Sequence, residues 1–105
     1  MKSMLTHYKK SAERRKLPFT LTESEFEELT KKNCDYCGEP PELRAYSPSQ
    51  KARPVMGIDR VDSSKGYESD NCVPCCKECN FLKSNLPLDS FLKRVEMIYL
   101  RRVKV

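Results

Sequence analysis

Six cysteines stand out as the residues best suited to chemistry in this 105-residue chain. Cys34 and Cys37 form one CxxC pair, and Cys76 and Cys79 form another. Two thiolates at this spacing lie on one side of a tight turn, and two such pairs make a closed four-ligand zinc site. Cys72 and Cys75 form a third CxxC pair, so the second half of the site is ambiguous by spacing alone. Cys76 and Cys79 are the better choice, because they stand where a turn runs into a helix. That leaves Cys72 and Cys75 as small buried residues. Asn80 follows Cys79 directly, and the Asp59-Arg60 pair lies upstream in GIDRVDSSKGYESDN. A zinc ion joining the two pairs would fix where Asp59 and Asn80 stand.

The composition agrees with a metal rather than with disulfides. Nothing in MKSMLTHYKK has the apolar run of a signal peptide, and no stretch is apolar enough to span a membrane. A reducing, cytoplasmic setting is therefore expected, where cysteine pairs bind metal. The length suits one domain, 1–105, whose small core needs a staple. Within it, 1–32 reads as helical, 33–86 as the zinc-braced core and 87–105 as a terminal helix. Charged residues make up 33% and the net charge is +5, which suits an anionic partner.

The elements that must position these residues can be read in outline. Residues 2–16 have helical periodicity in Met4, Leu5, Tyr8 and Ala12. Lys9, Lys10, Arg14 and Arg15 crowd the rest of that helix. They are candidates for a phosphate backbone, and equally for a solvated face. Pro18 ends the helix, and Phe19 to Leu21 reads as extended. Thr22 and Glu25 match a capping box for a second helix that buries Phe26 and Leu29. Gly38, after Cys37, is placed to take a positive φ. Residues 39–54 read as a loop, in which Arg44, Lys51 and Arg53 are candidates for touching DNA and a plain linker is an equal alternative. Val55 to Val61 and Tyr67 to Val73 read as hairpin arms, with turn material between them and Asn71 bonding back to the turn. Lys77 to Lys83 opens a helix. A last helix runs from about Asp89, as N-cap, to Arg102, with a stripe of Leu88, Phe91, Leu92, Val95, Ile98 and Tyr99 expected to pack inward.

CDYCG at 34–38, GIDRVDSSKGYESDN at 57–71 and CKECNFLKS at 76–84 together resemble the small zinc-stabilised HNH endonucleases of phages and mobile elements. The resemblance runs from about residue 6 onward. It implies an α+β fold: a ββα-metal (His-Me finger) domain braced by a four-cysteine zinc site, with helices packed on it at both ends. It implies that Asp59 and Asn80 hold one catalytic Mg²⁺ or Mn²⁺, and that Asn71 steadies the hairpin loop. Cleavage of DNA, double-stranded by preference, follows from it. Lys77 and Lys83 would grip the backbone beside the basic helix. Strong sequence specificity would call for a homodimer or an added module.

One position departs from the family. Its general-base histidine corresponds to Arg60, and a guanidinium does not give up its proton. Arg60 can hold the scissile phosphate instead. The base must then be sought elsewhere: His7 is the single histidine, Asp62 or metal-bound hydroxide can activate water, and Tyr67 can act as a nucleophile once its proton is removed. In a regular strand Asp59 and Arg60 face opposite ways, so both serve one site only where the strand ends, twists or bulges. A module that binds nucleic acid without cutting it, or a phage regulatory protein, are the readings that compete.

Overall fold

The computed structural model describes residues 2–46 and 48–104. Helix α1 spans Lys2–Arg14 and buries Met4, Leu5 and Ala12, as its periodicity dictates. Its end is a closed turn: Lys16 N–H bonds the Glu13 carbonyl and Leu17 N–H the Ala12 carbonyl. That closure puts Lys16 at φ 57°, a left-handed conformation that a side chain disfavours. Lys16→Gly is expected to raise stability by about 1 kcal/mol, read as a higher midpoint in thermal or urea unfolding.

Helix α2, Glu23–Thr30, starts on the capping box. Thr22 Oγ1 accepts from Glu25 N–H at 3.1 Å, and Glu25 Oε1 accepts from Thr22 N–H at 2.9 Å. Phe26 is fully buried and meets the Tyr8 ring edge-on at 5.4 Å.

The segment expected as a loop is in part a sheet. β1, Glu42–Arg44, pairs antiparallel with β2, Arg53–Val55. Pro, Ser and charge hid it, because the two strands are three residues long and largely exposed. β3, Gly57–Arg60, pairs antiparallel with β4, Cys72–Cys75. The expected arms are therefore shifted. The first breaks at Met56 between β2 and β3, and the return strand begins only at Cys72. Tyr67 forms an isolated parallel bridge with Phe19 instead. Gly66 makes that close approach feasible, since a Cβ there would collide with the Pro18 backbone.

Helix α3, Lys77–Lys83, follows β4 at once, with the Cys76 sulfur accepting from Cys79 N–H as its cap. Helix α4, Leu88–Ile98, continues into a π-helical turn, Tyr99–Val103. Its N-cap is Pro87 rather than Asp89, which lies in the first turn. The apolar stripe is real but faces outward. Phe91 is buried, while Leu92, Val95, Ile98 and Tyr99 are each about half exposed.

Two cores result. Met4, Leu5, Ala12, Leu21, Phe26, Val55, Ile58, Tyr67 and Cys72 form the larger one between the N-terminal helices and the hairpin. Cys34, Met56, Cys75, Cys76 and Cys79 form the smaller one. β4 has a residue in each, Cys72 in the larger and Cys75 in the smaller, so the hairpin joins the two.

Candidate active site and metal centre

The smaller core is built around four sulfurs. The Sγ atoms of Cys34, Cys37, Cys76 and Cys79 all lie within 4.8 Å of one another. Cys37 and Cys76 sulfurs are 3.6 Å apart. A tetrahedral site with Zn–S bonds of about 2.3 Å needs sulfurs about 3.8 Å apart, so the cluster has the size for a metal ion. The turn that carries the first pair is tied down by Gly38 N–H to the Cys34 carbonyl and Asp35 N–H to the Pro74 carbonyl. Gly38 sits at φ +82°, the positive region foreseen for it. Burial would raise the Cys34 thiol, but backbone N–H donors from Cys37, Cys76 and Tyr36 outweigh it and bring the thiol down to about 6. Burial, with thiol bonds to Cys37 and Cys76, pushes the Cys79 thiol up from its usual range.

Cys72 and Cys75 are not in this group. Cys72 belongs to the larger core, where burial pushes its thiol up to about 11. Cys75 is buried beside the cluster, with its thiol donating to the Cys76 carbonyl.

A second, polar site lies next to the cysteine cluster. A cleft of about 210 Å³ is lined by α1 through Ser11, by Arg15 just past it, by β3 through Asp59 and Arg60, by Tyr67, and by Asn80 of α3. Asp59 and Arg60 share it because Arg60 is the last residue of β3. Its guanidinium turns back and donates to the carbonyls of Ser63 and Lys65, the latter at 2.8 Å. It also lies 5.5 Å from the centre of the Tyr67 ring. Arg15 approaches the same ring at 5.9 Å and donates to the Tyr67 hydroxyl at 2.9 Å. Tyr67 is thus covered by two guanidinium groups.

Asn71 stands behind the cleft and closes the turn. Its Oδ1 accepts from Asp62 N–H, and its Nδ2 donates to the carbonyls of Asp62 and Gly66. Asp62 has its Oδ1 accepting from Ser64, which holds its carboxyl below the usual range. It does not line the cleft.

Asp59 is buried, and its environment departs from a simple metal ligand. Tyr36 Oη donates to Asp59 Oδ2 at 2.8 Å, and Lys83 Nζ pairs with the same oxygen at 3.2 Å. Lys83, expected on the outside gripping DNA, is fully buried and also donates to the Arg60 carbonyl. The short α3 turns this residue inward at four positions past Cys79, on the face that meets β3. The sequence assigns Lys83 to the DNA-gripping surface and gives Tyr36 no role, so neither is foreseen as a partner of Asp59. The signal available for Tyr36 was its place between two cysteine ligands.

The other basic candidates have diverse surroundings. Lys9, Lys10 and Arg14 are exposed on α1, with Lys9 5.8 Å from the centre of the Phe19 ring. Lys77 is exposed and pairs loosely with Glu42 at 3.7 Å. His7 bonds the Ser3 carbonyl, meets the Tyr46 ring edge-on and lies outside the cleft.

This arrangement has a counterpart among solved structures. The rare-cutting HNH restriction endonuclease PacI, described for its mechanism of DNA perturbation, superposes with a TM-score of 0.64 over 92% of this chain and 75% of its own, at 22% identity. The chain therefore has an α+β, HNH-like fold with a four-cysteine cluster able to hold a metal. No family model matches it. An uncharacterized protein of Acanthamoeba polyphaga mimivirus is 38% identical over 85 residues, or 81% of this chain. The match covers 14% of that protein's length.

Proposed function

We propose that this protein is a metal-dependent DNA endonuclease of HNH type that hydrolyses phosphodiester bonds. The observation that carries the reading is the polar cleft, where Asp59, Arg60 and Asn80 meet beside the cysteine cluster. In this reading Cys34, Cys37, Cys76 and Cys79 hold a structural zinc ion, which takes no part in the chemistry. Asp59 and Asn80 offer hard oxygen donors to one Mg²⁺ or Mn²⁺. When bound, that ion stabilises charge developing on the phosphate oxygens.

The chain's own groups do the rest. Arg60 and Arg15 present guanidinium N–H groups to the phosphate. Arg60 stays protonated, so it positions and neutralises but accepts no proton. The Tyr67 hydroxyl, whose oxygen accepts from Arg15, gives its proton to the leaving oxygen as the phosphodiester bond breaks, while the attacking water loses a proton to solvent. Asn71 holds the turn on which Arg60 rests. Lys9, Lys10 and Arg14 on α1, with Lys77 on α3, track the backbone of duplex DNA. Recognition of a long site uses a second copy or a further module, because one small domain reaches few base edges. A cytoplasmic setting, where thiols stay reduced, goes with this reading of the cysteines.

Arg60 favours a second reading, a binding module that does not cut. Its guanidinium is already engaged by two turn carbonyls, as a structural residue would be. Relaxation of supercoiled plasmid by zinc-loaded protein separates the two. Nicking with Mg²⁺ or Mn²⁺, its loss in EDTA, and its loss in Asp59→Ala and Asn80→Ala are expected. Folded protein that binds DNA and leaves plasmid intact under all these conditions would sink the nuclease reading. A gain of cutting in Arg60→His would then identify the missing base.

A further inference from the structure

We propose that Tyr36 and Lys83 are positioning residues that hold Asp59 by one oxygen and thereby set how strongly the cleft binds a divalent cation. The inference rests on the nuclease reading of Asp59 and goes on to say what controls that residue.

Both contacts converge on Oδ2: Tyr36 Oη at 2.8 Å and Lys83 Nζ at 3.2 Å. Oδ1 has no hydrogen bond to a described residue, and no buried side-chain oxygen among the described residues lacks a partner. Oδ1 is therefore the oxygen that meets the solvent of the cleft. The carboxylate is divided into a held oxygen and a free one.

The two holders come from the metal centre. Tyr36 lies between Cys34 and Cys37, and its ring is braced edge-on by Phe91 at 6.0 Å. Lys83 lies one helical turn after Cys79, and Asn80 lies between them. A metal on the four sulfurs thus fixes both donors to Asp59 and the Asn80 side chain as one unit. The Lys83 ammonium is wholly buried against the carboxylate. It is a fixed positive charge competing with any divalent ion for Asp59.

The two roles differ in sign. Without the Lys83 charge the carboxylate attracts a divalent ion more strongly. Without the Tyr36 hydroxyl the carboxylate can turn both oxygens onto Lys83, which withdraws Oδ1 from the cleft. Mn²⁺ binding to zinc-loaded protein, followed by electron paramagnetic resonance, reads this without any cleavage. Lys83→Met is expected to bind Mn²⁺ about 10-fold more tightly, and Tyr36→Phe about 10-fold more weakly. Zinc content should be unchanged in both. At saturating Mg²⁺, nicking by Tyr36→Phe is expected to recover, since its defect is in binding.

Tyr36→Phe keeps the ring and the fold, so it decides the matter even where Lys83→Met does not fold. Affinities within about twofold of wild type in Tyr36→Phe would overturn the proposal, as would a shift of the same sign in two folded variants. Asp59→Ala serves as the control. If it loses Mn²⁺ while the other two bind as wild type, the positioning role alone falls. If it binds Mn²⁺ as wild type, Asp59 is no ligand, and the nuclease reading falls together with the positioning role.

Discussion

Cys79→Ser is expected to abolish metal binding by the four-sulfur cluster and to cost more than ~4 kcal/mol of stability. The expectation follows from how little else holds that half of the chain. α3 has seven residues, far fewer than a helix needs to stand alone in water. β3 and β4 have four residues each, and a lone two-stranded hairpin is marginal. The Cys34 turn meets β4 through one backbone bond, Asp35 to Pro74. The smaller core consists of sulfur-bearing residues, so without a metal its thiols crowd together with nothing to bind. A domain of this size has roughly 5–15 kcal/mol in hand, so the loss removes a large share of it and lowers the unfolding midpoint sharply. Metal content by atomic spectroscopy and unfolding midpoints with and without chelator check it. Cys72→Ala is the comparison: its sulfur lies in the other core, so the metal stays. A Cys79→Ser protein that retains one metal and melts like wild type would assign the ion to other ligands.

The sequence revealed most where a local rule governs. Thr22 and Glu25 cap α2 as their spacing requires, and Gly38 takes the positive φ of its turn. CxxC spacing marked Cys34, Cys37, Cys76 and Cys79, which the fold brings together. The less legible features depend on what a residue meets from far along the chain. Lys83 looked like another surface lysine, because nothing local shows that the Asp59 carboxylate, far upstream, will meet it. Arg15 looked like one more charge on a basic helix, yet it reaches Tyr67, 52 residues away. β1 and β2 are too short to carry a period. The stripe on α4 was legible as a period, but periodicity says only that a face is apolar, and Leu92, Val95 and Ile98 remain exposed.

Tyr67→Phe is expected to lower the nicking rate by ~10²–10³ while leaving the fold intact. The ring is what the fold uses. It packs edge-on against Tyr8 at 5.7 Å and tilted against Phe19 at 5.4 Å, and phenylalanine keeps both contacts. The hydroxyl is what the cleft uses. It accepts from Arg15, so its own proton stays free to be passed on. Arg60 cannot take that part, since a guanidinium stays charged. Asp62 is turned to Ser64, and His7 lies outside the cleft, so His7→Ala should cut as wild type. Among the described residues, Tyr67 is then the side chain at the cleft best suited to proton transfer. Arg15→Ala should show the partner's share: a smaller fall in rate with weaker substrate binding, because it removes a phosphate contact as well as the bond to Tyr67. Single-turnover nicking at saturating Mg²⁺ separates the chemical step from binding. If Tyr67→Phe cuts like wild type under those conditions, the hydroxyl has no part in the reaction, and the leaving oxygen takes its proton from solvent.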